Sequence, residues 1–266
     1  MATRWAASPI RTAPPLETRA WLRTVGRPGP ERWVWPVAAV AWVVLIWGGL
    51  GWYPLGGPSP SGHHHPGTSP AGTGLAPTVA AFGSHLLLWI AMVAATMLPL
   101  IAWNLRGVGL RSPRSRRATA TVEVAAGWAL VWLAAGAVLT LGVVALQGVG
   151  SPVVAVTAVC ALAVAWQFTP TKRVALARCH RRFAPPLGAA ARPACLRFGS
   201  SLGRNCLLSC WAGMAMMTAA SHHPLAVVAL GWLSWRDRRR PYDRPGSAIS
   251  VAVLVGVAVL TILAQS

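Results

Sequence analysis

From Val34 to Tyr53 the chain runs for twenty residues without a charged side chain, and a segment of about that length is what one helix needs to cross a hydrocarbon core of roughly 30 Å. Backbone N–H and C=O groups find no partner in hydrocarbon, so such a segment is committed to an α-helix. Further apolar stretches follow at about 82–105, 122–147, 153–168, 206–221, 225–235 and 248–264. The expectation is an all-α protein, a polytopic transmembrane helical bundle of seven helices. Residues 1–33 would form a disordered basic tail ahead of a transmembrane domain over 34–266.

The count of seven rests on the basic residues. The stretch from Cys206 to Trp235 is interrupted by His222-His223-Pro224, so one long helix and a helical hairpin are both open. All 24 Lys and Arg fall before Val34, between Arg106 and Arg117, between Lys172 and Arg204, or between Arg236 and Arg244. Cytoplasmic loops carry the excess of Lys and Arg. A hairpin at His222-His223-Pro224 puts all four groups on one side with the N-terminus cytoplasmic, whereas six spans would leave the last group outside. A net charge of +19 could otherwise suggest nucleic acid. Its distribution assigns it instead to topology and to the anionic headgroups of a bacterial plasma membrane. Trp33, Trp35, Trp52, Trp103, Trp166 and Trp235 sit near predicted span ends, where amphipathic rings prefer the interface. Trp42, Trp47, Trp128 and Trp132 lie deeper and are expected to pack.

This topology separates histidine from cysteine. His63, His64 and His65 lie in a Gly-, Pro- and Ser-rich outer loop, His85 starts the second helix on the outer side, and His222 and His223 form the outer turn. Cys179, His180, Cys195, Cys206 and Cys210 gather on the cytoplasmic side, with Cys160 alone in the fourth helix as packing. On the fifth helix Cys206, Cys210, Gly213, Met214, Met217 and Ser221 recur at spacings of three or four and share a face. Thiolate and thioether ligands select Cu(I), and imidazole suits copper and zinc. The sulfur ladder could therefore hold or pass a soft ion. Equally, Met and Cys pack well, and Gly213 would then admit a close neighbour. On the second helix His85, Trp89, Met92, Thr96 and Trp103 form a stripe that Met97 falls off. His85 and Met92 thus descend from the surface that carries His222 and His223, a second candidate site if the two helices are neighbours. Three adjacent histidines on a loop cannot all serve one ion in good geometry, so His63 to His65 offer loose capture at most.

Enzymatic material is scarce. Glu17, Glu31, Glu123, Asp237 and Asp243 are the only acidic residues, and none shares a span with a second carboxylate for acid–base work. Glu123 and Asp237 are expected to pair with loop arginines. No Gly-rich phosphate loop, His-Glu-x-x-His or Cys-x-x-Cys occurs.

Three stretches resemble a bacterial family of uncharacterised, predicted metal-binding integral membrane proteins. Trp89-Ile90-Ala91-Met92-Val93-Ala94-Ala95-Thr96-Met97-Leu98-Pro99 looks like the family's Trp-x-x-Met-x-x-Ala-Met-Met-x-Pro, with Thr96 where Met is usual. Gln167-Phe168-Thr169-Pro170-Thr171-Lys172-Arg173, leading to Cys179, is similar to its Gln-x-Thr-Pro-x-Lys element, with Ala175 at the first Cys position. Gly203-x-x-Cys206-x-x-Ser209-Cys210-Trp211-x-x-Met214 is similar to its Cys-rich helix, with Leu208 and Ser209 replacing Gly and Cys. The resemblance implies an integral membrane fold and metal binding, with Cys179, Cys206, Cys210, Met92, Met97 and Met214 at motif positions and each cysteine element one thiol short.

Two functions follow as expectations. One is a membrane protein that binds a soft transition metal, copper first and zinc as the alternative, to store it, move it or deliver it to a membrane partner. Its ligands would be His85, Met92, His222 and His223 outside, Cys206, Cys210, Met214 and Met217 along helix five, and Cys179 with His180 from the loop. The other is a non-catalytic subunit or assembly factor that packs against a larger membrane enzyme through Ala125-Ala126-Gly127 and Ala134-Ala135-Gly136.

Overall fold

A computed structural model of the chain describes residues 29–49, 75–149, 152–220, 222–239 and 247–263. Their regular structure is entirely helical: α1 (Val34–Gly49), α2 (Leu75–Thr96), α3 (Leu98–Arg111), α4 (Arg117–Val149), α5 (Pro152–Gln167), α6 (Pro170–Arg178), α7 (Ala191–Ala219), α8 (Pro224–Arg239) and α9 (Ala248–Leu263). His63 to His65, Trp52, Ser221 and the chain up to residue 28 lie outside the described residues, as do Arg240, Asp243 and Arg244.

Each predicted stretch is helical where described, but the second is bent, and a further bend follows the fourth. The second breaks at Met97, and α2 and α3 meet at 57°. Pro99 has no N–H to give the preceding turn and its ring crowds the carbonyl four residues back, so the helix restarts with proline in its first turn. The fourth stretch is α5, but the residues after it, expected as loop, form α6, turned by 68° from α5; Thr169 caps α6 by accepting the Lys172 backbone N–H and Pro170 follows. Among the described residues one helical segment, Arg114–Gly142, is long and apolar enough to cross a membrane. Each bent pair also qualifies when taken as one span, and Val34–Trp47 and Ala248–Leu263 are apolar but shorter.

At the centre α4 and α7 run side by side in the same direction, with their backbones nearly touching. A Cβ on Gly199 would lie 2.1 Å from the Val124 carbonyl oxygen, and one on Gly127 would lie 2.3 Å from that of Leu196. Only glycine permits this approach. Gly127 and Gly136, expected as part of a surface for a partner, are therefore used inside the fold, Gly136 against the Trp89 indole. Trp128 and Trp132 are buried as expected, whereas Trp47 is half exposed.

The stretch around His222 is a hairpin. α7 ends at Ala219, His222 takes a left-handed φ of 58°, and Pro224 opens α8. Hydropathy placed the start of this helix near Cys206, but α7 begins at Ala191, and α8 runs on to Arg239. Arg192, Arg197 and Arg204 project outward from the first half of α7, so the apolar run stops long before the helix does. Glu123 pairs with Arg116 at 2.9 Å, as expected. Asp237 instead takes Lys172 at 2.5 Å, with Arg236 further off at 4.0 Å.

Candidate metal centre

The two bends and the start of the hairpin bring three distant stretches to one small cavity. It has a volume of about 20 Å³ and is walled in part by Met97, Gln167, Lys172, Cys206, Ser209 and Cys210. That is room for about one water-sized body. Cys210 Sγ lies 3.7 Å from Met97 Sδ and donates to the Cys206 carbonyl at 2.9 Å. Met97, at the break between α2 and α3, thus touches α7 at Cys210. Gly213 also lines the cavity and faces open space rather than a close-packed helix. The stripe on the second helix named Met92 as its thioether; both Met92 and Met97 are buried, and it is Met97, at the break before Pro99, that meets Cys210.

Cys179 closes the cluster from the turn after α6. Burial pushes its thiol up to about 12, the neighbouring Cys206 adds to the rise, and Arg238 and a hydrogen bond with Ser209 oppose it. Ser209, at a position where the resembled family carries a thiol, therefore presents its hydroxyl to the cluster. Arg238, which sequence reasoning missed, is its central cation. The side chain is buried and reaches Cys206 Sγ at 3.9 Å, the Asn104 Oδ1 at 3.0 Å and the Cys179 carbonyl at 3.4 Å. Beside it the buried Lys172 ammonium donates to Gln167 and Asp237. His180 donates from Nε2 to the Arg238 carbonyl at 2.9 Å. Burial, and then Arg238, lower its proton affinity. Met92, Met214 and Met217 are completely buried but do not wall the cavity.

The sulfur ladder on α7 leads to a second group. Thr96 on α2 lies against Gly231 on α8, and about three turns back along each helix from that contact come His85 and His222. His222 is 2% exposed and its Nε2 has no hydrogen-bond partner, an unusual state for a buried polar atom. Burial and then the neighbouring His85 hold its ring neutral down to about pH 4. His223 is exposed. Among the described residues no three His, Cys, Asp or Glu side chains gather so as to hold a metal ion. Any site here is therefore completed by thioether sulfur or has only two strong ligands.

The depressed His222 has a consequence for stability. Unfolded, the ring protonates below about 6.5, while in the fold it stays neutral until about 4. The unfolded state therefore binds more protons between those values, and stability falls as pH drops through that window. Thermal unfolding in detergent at pH 5 is expected to show a loss of about 2 kcal/mol relative to pH 7 from this group. The loss should shrink in His222→Gln, and an unchanged pH slope in that variant would contradict the buried neutral ring.

The PpoB2 family, described as a copper chaperone, matches residues 86–261. The match takes in every residue of the sulfur cavity named above. No curated protein and no solved structure matches the chain.

Proposed function

The chain belongs to the PpoB2 copper chaperone family, and from that premise we propose that it is a membrane-embedded copper carrier whose cargo site is the cavity walled by Met97, Cys206 and Cys210. The observation that carries this reading is the meeting of Cys210 and Met97 at 3.7 Å, with Cys206 one turn below and Cys179 beside it. Thioether and thiolate together are the soft donor set that selects Cu(I). Structural zinc takes four N, S or O ligands almost without exception, and the described residues offer no such set. Charge supports the same cargo. Two thiolates and one Cu(I) leave a single negative charge, and the Arg238 guanidinium beside Cys206 balances it.

In this reading the chain spans a bacterial plasma membrane seven times with its N-terminus in the cytoplasm. Side chains such as Val138, Val154 and Leu260, each 60% exposed or more, would face lipid, since exposed apolar surface of this extent needs an apolar neighbour. His85, Met92, His222 and His223 form the outer set and exchange metal with the outside. Met214 and Met217 lie along α7 between the two ends, and copper passes to a partner protein from the cytoplasmic end.

The test is copper loading of the detergent-purified full chain under reducing conditions, against a Cu(I)-specific competitor dye. Replacing even an outer-shell partner of a metal ligand typically costs 10- to 100-fold in affinity. Cys206→Ser/Cys210→Ser, which removes two ligands, is therefore expected to lose roughly 100-fold or more, with His85→Ala/His222→Ala retaining the inner ion. Equal affinity in the cysteine variant and the wild type would overturn the assignment.

A further inference from the structure

A second, larger cavity of about 400 Å³ opens beside the sulfur cluster, at the end of the molecule where the arginines gather. α3, the turn after α6 and the first half of α7 form its walls, and its lining is mixed. Arg106, Arg111, Arg181 and Arg182 line it together with Trp103, Leu110, Phe183 and Phe198. Arg106 is held by Glu31 at 2.8 Å. Among the described residues no carboxylate pairs with Arg111, Arg181 or Arg182; all three are exposed, and Arg111 donates to the Gly107 carbonyl of its own helix at 3.1 Å, so three guanidinium groups line one cavity without a carboxylate partner. The apolar lining is built as well as exposed. Phe183 and Phe198 stack at 4.5 Å with rings 9° apart, and Trp103 is 61% exposed.

We propose that this cavity is a binding site for one anionic phospholipid, with its headgroup phosphate on Arg111, Arg181 and Arg182 and its glycerol and upper acyl carbons against Trp103, Leu110 and the Phe183–Phe198 stack. Planar guanidinium forks match phosphate oxygens in pairs, which an ammonium cannot do. Basic pockets between helices on the cytoplasmic side take the headgroups of anionic lipids, and the volume is in the range of a small-molecule site. A free phosphate would satisfy the arginines but leave the aromatic wall bare. The chemistry common to both ligands is the phosphate, and the apolar wall assigns the site to the lipid. The inference rests on the membrane-embedded reading, and copper plays no part in it.

The experiment is native mass spectrometry of the full chain released from detergent, with dioleoyl phosphatidylglycerol, dioleoyl phosphatidylcholine and inorganic phosphate as probes. Wild type is expected to retain one phosphatidylglycerol and no phosphatidylcholine, with inorganic phosphate in tenfold excess over the lipid failing to displace it. Arg111→Gln/Arg181→Gln/Arg182→Gln is expected to reduce retention at least tenfold. Arg173→Gln/Arg197→Gln, which removes two exposed arginines outside the cavity, should leave it unchanged. Equal retention of phosphatidylcholine, displacement by phosphate alone, or retention by the triple variant at the wild-type level would each overturn the proposal. A triple variant that loads copper normally but loses lipid separates this site from the sulfur cavity. Loss of both in that variant is read against Phe183→Ser/Phe198→Ser, which leaves every arginine in place and is expected to reduce retention as well. Full retention in that second variant would overturn the lipid assignment.

Discussion

Gly199→Leu is expected to prevent α4 and α7 from docking and to leave little folded protein in detergent. Even a single added carbon at this position would meet the Val124 carbonyl oxygen at 2.1 Å and Trp128 N at 3.1 Å. Both are backbone atoms of the longest helix, so no side-chain rotation relieves the contact. Overpacking typically costs about 1–3 kcal/mol and occasionally more, and a collision with backbone on two central helices belongs at or above the upper end. Gly142→Leu is the control, because a Cβ there meets nothing within 4 Å, and it should unfold within a degree or two of wild type. Equal thermal stability of the two variants would mean that the α4–α7 contact is not as close as described.

The second large effect is expected at Lys172, whose buried ammonium is held by Gln167 and Asp237. Lys172→Met removes one partner of a pair with side chains only 7% and 14% exposed and leaves the Asp237 carboxylate without its main counter-charge. Breaking a buried pair from one side costs about 3–5 kcal/mol. Arg236, 4.0 Å from the other Asp237 oxygen, places the expected loss near the lower figure. Lys172→Met/Asp237→Leu should recover most of it, since replacing both charges by apolar groups is close to neutral. A single variant as stable as wild type would indicate that water already reaches the pair.

How much of this was legible in the sequence depends on which physical signal each feature leaves. Charge-free length marks the helices, and the arginine distribution selected the hairpin at His222 over one long helix. The bends were not legible, because proline is tolerated in apolar helices whose freed carbonyls find other partners. The stripe on the second helix therefore left Met97 aside, although the resemblance put it at a motif position, and its meeting with Cys210 was not foreseen. Spacing brought Cys206 and Cys210 together, and resemblance added Cys179, but neither identified Arg238. Counted as one more loop charge, Arg238 disappeared into the topology argument. A signal was nevertheless present: Val227, Leu230, Ser234 and Arg238 follow one another at spacings of three or four, so the buried face of α8 runs on into the arginine cluster. Reading helical periodicity past the end of the apolar run would have found it. The arginine-lined cavity was hidden for a related reason, because Arg111 and Arg181 are 70 residues apart and only the packing of α3 against the turn after α6 joins them.

The family match points to copper as cargo, and the proposed cavity would hold it with two cysteines and a methionine. Ser209 presents a hydroxyl beside the thiols, and Met97, at the proline bend, would supply a donor that the Cys spacing alone does not reveal.

The most direct measurement is X-ray absorption at the copper edge of the Cu(I)-loaded full chain at one equivalent of metal. The account predicts a first shell of sulfur alone, losing one scatterer in Met97→Leu and collapsing in Cys206→Ser/Cys210→Ser. A shell dominated by nitrogen, unchanged in both variants, would contradict the sulfur cavity as the cargo site and move it to the His85–His222 end.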